Sequence, residues 1–220
     1  NEAIKFVYAS TFTGASKSYF ASIGKKIDEE KMAVIIQEVA GNKREKRFYP
    51  VISGVARSYN YYPTGKSKPA DGIVNLALGL GKSIVDGGLS WVYSPKYPRS
   101  PSPFGGPGDI LKVTQKDFWA VNISNIYEYD PTNENEFLVN LKVRDAESDN
   151  VIDNIASTYV AASDRIEMGI AKPGPRIIDF APILKLNMLK FNDLLNEIIT
   201  VCETELRVPV EIEFAADFDD

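Results

Sequence analysis

The feature that most limits how this chain folds is a break near its middle. Residues 95–108 hold five of the 13 prolines and three of the 15 glycines. Proline fixes φ and lacks a backbone donor, so a segment this rich in both residues favours neither a helix nor a sheet ladder. We predict a loop or lid there and the main internal boundary of the chain. The expected parts are residues 1–98, a loop and strand-rich insertion over 99–180, and a return to the first part over 181–220.

Short apolar runs on both sides of this break predict strands. They cover residues 32–39, 46–60, 73–78, 89–93, 118–123, 136–144, 155–160 and 208–215. The Gly41-Asn42 turn signal between the first two runs predicts an antiparallel hairpin, with 32–39 buried. Helices are predicted over 3–12, 15–23, 82–86 and most clearly 186–206, where apolar residues recur at helical spacing. The sequence therefore predicts an α+β fold with a mostly antiparallel sheet and flanking helices.

Charge and hydropathy exclude two classes of partner. The net charge of −5 argues against a dedicated nucleic-acid-binding protein, although a local basic patch lies at Lys43, Arg44, Lys46 and Arg47. No window approaches the roughly 18 consecutive apolar residues of a membrane-spanning helix. We expect neither a nucleic-acid partner nor a membrane.

The residue types that are scarce limit the chemistry. The chain has no histidine, so catalytic triads and histidine-ligated metals are excluded, and catalysis would depend on carboxylates, Lys, Arg and backbone dipoles. Cys202 is the only cysteine, which excludes an intramolecular disulfide and fits a cytoplasmic protein.

A glycine-rich turn follows the predicted strand 73–78. Its sequence is Gly79-Leu80-Gly81-Lys82, but a P-loop would need glycine where Leu76 stands. Two interpretations remain with equal weight. Either the turn presents backbone amides to a phosphate, or the glycines are needed for steric reasons alone.

An acidic pair lies on the last predicted strand. Glu211 and Glu213 alternate with Ile212, so both carboxylates project from one face of that strand. Mg²⁺ prefers such oxygen ligands and bridges to phosphates. An exposed, solvated strand face is the alternative, and the pattern alone favours it.

Two further candidates lie earlier in the chain. Residues 37–39, Gln-Glu-Val, end an apolar run. Either their backbone groups form hydrogen bonds with the edge of an adenine, or they are an ordinary strand end. Arg57 stands in an apolar run, where burial would require an anionic partner, either phosphate or carboxylate; otherwise it is an outward-facing charge.

The order of these motifs resembles one family. Residues 32–39, 53–56, 77–87 and 210–214 are similar, in that order, to motifs of the ATP-binding domain of phosphoenolpyruvate synthase and pyruvate phosphate dikinase. The resemblance is dense over 3–98 and again over 208–214. It implies an ATP-grasp-like fragment of a phosphotransferase that moves a phosphoryl group from ATP to a histidine on another domain of the parent chain, and then to pyruvate at a third domain. It leaves open whether the second acceptor is water or phosphate.

The resemblance also implies roles for particular residues. Those expected to bind ATP are Gln37, Glu38 and Val39 as the adenine hinge, with Ser53, Gly54, Gly79 and Gly81 near the phosphates. Glu211 and Glu213 would hold Mg²⁺, and Arg57 and Lys82 are the candidate catalytic residues.

The chain departs from the family pattern at several positions. Family members usually carry Phe-Thr at 57–58, Glu at 82 and Asp at 211, where this chain has Arg57-Ser58, Lys82 and Glu211. A metal-binding Gln would follow residue 220, and basic residues of the first ATP-grasp lobe would precede residue 1. We therefore expect a fragment that binds ATP weakly or not at all by itself. The extra cations also keep open a non-catalytic nucleotide-binding module. A separate alternative is a module in which the loop 95–108 and the insertion 109–180 dock other domains.

Overall fold

The computed structural model describes residues 2–100, 105–124 and 135–218, and the chain forms two compact units. The first unit comprises residues 1–39 with 125–137, and the second comprises residues 40–124 with 138–220. Part of the predicted loop, residues 101–104, lies outside the described residues. No helix of the described chain is long and apolar enough to cross a membrane.

The first unit contains two predicted helices. They are α1 (Glu2–Ser10) and α2 (Gly14–Ser22), and a short 3-10 turn follows over Ile27–Glu29. Thr13 explains where α2 begins, because its hydroxyl accepts a hydrogen bond from the amide of Ser16. Both helices confirm the prediction from apolar spacing.

The apolar run 32–39 is not the buried strand that its composition predicts. It has no regular structure, and Ile35 and Ile36 are 83% and 77% exposed. A strand needs a neighbour for its backbone N–H and C=O groups, and no described strand pairs with this run. The predicted hairpin is also wrong, since the observed one joins Asn42–Arg44 to Arg47–Tyr49.

The second unit contains eleven described strands in three sheets, and every pair is antiparallel. The first sheet has the order β1 (Asn42–Arg44), β2 (Arg47–Tyr49), β6 (Asp117–Asn122), β7 (Leu138–Lys142). The second has the order β10 (Arg176–Ile178), β8 (Ala156–Val160), β9 (Arg165–Met168). The third has the order β11 (Glu211–Ala216), β3 (Ile52–Arg57), β4 (Ile73–Ala77), β5 (Trp91–Tyr93).

Five α-helices accompany these sheets in the described part of the second unit. They are α3 (Lys82–Val85), α4 (Pro107–Val113), α5 (Val143–Ser148), α6 (Ala181–Leu186) and α7 (Phe191–Leu206). The predicted helix 186–206 is therefore shorter at its start. Asn187, Leu189 and Lys190 have positive φ, which ends α6 and separates it from α7.

The predicted strand 46–60 is two strands in different sheets. β2 ends at Tyr49 and β3 begins at Ile52, with Pro50 between them. Proline lacks the donor that a continuous ladder would need, so the chain leaves the first sheet there and enters the third. The two short strands β9 and β10 were not predicted.

One face of the third sheet closes the core of the second unit. Ala56, Leu76 and Val74 are buried there, and the ring of Phe214 lies 6.1 Å from that of Phe191 on α7. The periodic apolar residues of α7, among them Leu195 and Ile199, belong to the same cluster. This packing fixes the orientation of the sheet, whose other face carries polar side chains together with the buried Val55 and Ala77.

Asp179 is a carboxyl group buried in this unit. It accepts hydrogen bonds from the hydroxyl of Ser157 and the amide of Ala181. Burial nevertheless raises its pKa above the ordinary 3.8, because the charged form loses its hydration.

The raised pKa predicts a pH effect that Asp179→Asn should remove. The Asp179 carboxyl holds its proton more tightly in the folded state than in the unfolded state. The stability that this proton contributes is therefore fully present below the unfolded pKa, and it is lost as pH rises through the folded pKa. Wild type should therefore lose free energy of unfolding relative to Asp179→Asn as pH rises from about 4. Urea denaturation of both proteins across pH 4–8 measures this difference. Asp153→Asn, at an exposed site, serves as control, and parallel profiles for wild type and Asp179→Asn would contradict the prediction.

Candidate functional site

The register of the third sheet places several predicted site residues on one face. Arg57 is opposite Glu211, Val55 is opposite both Glu213 and Asn75, and Ser53 is opposite Ala215. Opposite residues share a face and neighbours along a strand alternate. The face that points away from the core thus carries Ser53, Arg57, Asn75, Glu211 and Glu213, and we call it the polar face.

Gly54 belongs to the other face, opposite Phe214. A Cβ at this position would overlap the Phe214 ring. The glycine is therefore required by packing between β3 and β11.

Arg57 binds Glu211 through two hydrogen bonds. Its Nε donates to Oε2 at 2.6 Å and its Nη2 donates to Oε1 at 3.2 Å, and the two side chains are 35% and 53% exposed. Nη1 also donates to Oδ1 of Asn75 at 3.4 Å, and Asn75 donates in turn to Ser90. The anion that Arg57 was expected to need is thus a carboxylate of the neighbouring strand. Asn75 and Ser90 were missed from the sequence, because only the sheet register reveals that they are neighbours of Arg57.

The glycine-rich turn lies against the Ser53 end of the polar face. The Ser53 hydroxyl donates to the carbonyl of Gly79 at 2.6 Å, and the Cβ of Ser53 is the atom closest to a side chain at Gly81. Gly79 has φ +83°, and a Cβ there would lie 2.6 Å from both the Phe118 ring and the carbonyl oxygen of Trp119. A steric reason therefore suffices for Gly79.

Lys82 begins the four-residue helix α3 directly after this turn. Its Nζ lies 2.8 Å from Oδ2 of Asp86 and 5.6 Å from the ring centroid of Trp119. The Lys82 cation is therefore paired within its own segment, and the glycine-rich turn separates it from the end of β4.

The acidic pair fits a magnesium ion on one condition. Among the described residues no three His, Cys, Asp or Glu side chains form a metal-binding group. Mg²⁺ needs only one or two carboxylates when phosphates and water complete its coordination. Glu213 is exposed and has no ion pair among the described residues, whereas Glu211 is neutralised by Arg57. The two carboxylates fit the ion once Arg57 releases Glu211.

Gln37, Glu38 and Val39 belong to the first unit and are not part of the polar face. They lie in the irregular segment described above, and Val39 is half exposed. No regular strand presents their backbone groups, so the adenine-hinge role stays a prediction.

Comparison with known families identifies the chain. The family described as pyruvate phosphate dikinase, AMP/ATP-binding domain, matches residues 1–220. The chain belongs to this family. The match confirms the resemblance inferred from the ordered motifs, and the helices and antiparallel sheets confirm the predicted α+β, ATP-grasp-like class. A comparison with curated proteins and one with solved structures gave no match.

Membership makes this chain a nucleotide-binding domain of a pyruvate phosphate dikinase-like phosphotransferase. The polar face is the part of the second unit where the residues expected to handle phosphate and metal meet. Arg57 and Lys82, two of the departures from the family pattern, both place a cation there or at its end.

Proposed function

We propose that this chain supplies one side of an ATP site in a phosphoenolpyruvate-synthase-like enzyme, with the phosphates lying over the polar face. The observation that carries the proposal is the clustering of Ser53, Arg57, Glu211 and Glu213 on that face beside the glycine-rich turn. The parent enzyme would pass the phosphoryl group to a histidine of another domain and then to pyruvate. Phosphoryl transfer depends mainly on positioning and on neutralised oxygens, which suits a site without a protein nucleophile.

The candidate site residues have separate tasks in this proposal. Arg57 exchanges its bidentate contact with Glu211 for phosphate oxygens, since a planar guanidinium matches either partner. Lys82 adds a positive charge at the end of the phosphate chain. Glu211 and Glu213 would hold Mg²⁺, which would supply positive charge to the phosphate oxygens. Gly79 and Gly81 keep the turn close to the phosphates. For the first unit, the proposal keeps the adenine-hinge role that the resemblance implies for Gln37, Glu38 and Val39.

A second function is supported by the Arg57–Glu211 pair itself. The guanidinium already supplies the positive charge that a metal would bring to Glu211, and Lys82 adds another cation. A module that binds nucleotide without chemistry, or that docks other domains, would need no metal there. The two functions differ in how ATP binding responds to Mg²⁺.

Glu213→Gln tests the catalytic proposal in the full-length parent protein. We expect ATP-dependent phosphohistidine formation to fall on the order of 100-fold, because one carboxylate ligand of the ion is lost. Quantifying phosphohistidine after a single turnover measures the effect. Glu205→Gln, an exposed glutamate on α7, is the matched control and should retain full activity. Unchanged phosphohistidine formation in Glu213→Gln would contradict the metal role.

Calorimetric ATP titration of the same protein separates the two functions. The catalytic proposal predicts that Mg²⁺ tightens ATP binding by about tenfold, which corresponds to about 1.4 kcal/mol. Arg57→Gln should enlarge this response, because Glu211 is then free for the ion. Binding that ignores Mg²⁺ in wild type, and depends on it only after Arg57→Gln, would favour the non-catalytic module.

A further inference from the structure

A cavity lies in the second unit, at the β5 edge of the third sheet. Its volume is about 1160 Å³, and its walls come mainly from residues 60–67, from β5 and the segment after it, from α6 and from the beginning of α7. None of the residues assigned to the nucleotide site lines it. The cavity is large enough for a small organic ligand, for which pockets typically measure about 300–1000 Å³.

The walls of this cavity are largely apolar and aromatic. Trp91 and Tyr93 line it from β5, and Leu184 lines it from α6. Tyr97 forms part of the rim, where the Nζ of Lys66 lies 4.4 Å from its ring centroid. Flat aromatic surfaces of this kind favour a ligand with a flat apolar body.

Cations dominate the rim. Lys66, Lys96, Arg99 and Lys185 line the cavity, and all four are exposed. Lys96 pairs with Asp71, while the other three form no ion pair within the described ranges. The lining acids are Asp193 and the buried Asp179. The chain as a whole has a net charge of −5 and repels anions, whereas this positive rim attracts them locally.

Two polar atoms in the walls lack a partner. Oη of Tyr93 and Oδ1 of Asn192 are both buried without a hydrogen bond. Asn192 as a residue is only 5% exposed, and its amide nitrogen is fixed by the carbonyl of Pro95 at 2.9 Å. Buried polar atoms of folded proteins almost always have a partner.

We infer that this cavity is a binding site for a small organic anion with a flat apolar body, distinct from the nucleotide site. The aromatic wall takes the body of the ligand, and the unpaired cations of the rim take its charge. Compounds of the same shape that are neutral or positively charged bind more weakly.

Trp91 offers a direct readout of binding. The chain has two tryptophans, and Trp119 lies in β6, outside the cavity lining. In the Trp119→Phe chain the fluorescence of Trp91 is therefore the only tryptophan signal. The probes are 4-nitrobenzoate, which carries a negative charge, 4-nitrobenzyl alcohol, which is neutral, and 4-nitrobenzylamine, which is positive. We expect saturable quenching by the anion with an affinity at least about tenfold higher than that of the other two.

Charge variants test whether the rim is responsible. Arg99→Gln combined with Lys185→Gln should weaken 4-nitrobenzoate binding about tenfold, and Asp193→Asn should strengthen it. The gain in Asp193→Asn is a result that misfolding would not produce. Lys17→Gln, at an exposed position of the first unit, is the matched control for charge. Linear quenching without saturation, equal affinity for the three probes, or no change in the double variant would each overturn the inference.

Discussion

Gly79→Ala is expected to lower the free energy of unfolding by about 3 to 4 kcal/mol, whereas Gly87→Ala should lower it by about 1 kcal/mol. Both glycines have similar positive φ, +83° and +73°. Only Gly79 is crowded, since its added Cβ would meet the Phe118 ring and the carbonyl oxygen of Trp119 at 2.6 Å. An alanine is strained by the positive φ at both positions, but it collides with neighbouring atoms only at position 79.

The comparison of these two variants also separates two interpretations of the glycine-rich turn. Urea denaturation of wild type, Gly79→Ala and Gly87→Ala gives the stabilities. Equal losses in the two variants would show that crowding against Phe118 is absent and would contradict the steric explanation. A large loss in Gly79→Ala alone means that the turn needs glycine for the fold, whatever it presents to a phosphate.

The acidic pair shows how far local pattern reaches. Alternation along one strand predicted that Glu211 and Glu213 share a face, and the register of β11 with β3 agrees. The partner of Glu211 was beyond such reasoning, because Arg57 is 154 positions away in the sequence. Which strands become neighbours depends on the whole sheet, so the contact that neutralises Glu211 emerges only from the fold.

The apolar run 32–39 is a prediction from local pattern that was wrong. Its composition is that of a buried strand, but a strand is stabilised by its neighbours and not by its composition alone. The predicted helix 186–206 illustrates the same limit, since its apolar spacing is continuous while Leu186 and Leu189 are exposed and the backbone turns left-handed between α6 and α7. Periodicity records which residues are apolar and does not record where the chain changes direction.

The basic patch at residues 43–47 has a structural explanation for its arginines. Arg47 donates to both carboxylate oxygens of Asp149, at 3.0 and 2.8 Å, and the hydroxyl of Tyr49 donates to the same carboxylate at 2.5 Å. Arg44 lies over the Tyr49 ring and contacts Asp217. The hairpin of β1 and β2 is thereby fixed to the end of α5, and burial together with the bond to Asp149 raises the pKa of Tyr49. These arginines hold the hairpin in place and are not free to bind an external anion.

Asp149→Ala is accordingly expected to lower the free energy of unfolding by about 3 to 5 kcal/mol. The Asp149 side chain is 8% exposed, and its removal leaves both the Arg47 guanidinium and the fully buried Tyr49 hydroxyl without their acceptor. Most of the cost is the unpaired groups that remain, so adding Tyr49→Phe to Asp149→Ala should cost less than Tyr49→Phe costs alone. Urea denaturation of the two single variants and the double variant measures this coupling. Asp153→Ala, an exposed aspartate four residues later, should change stability by less than about 0.5 kcal/mol. Additive losses in the double variant would show that Asp149 and Tyr49 do not act together.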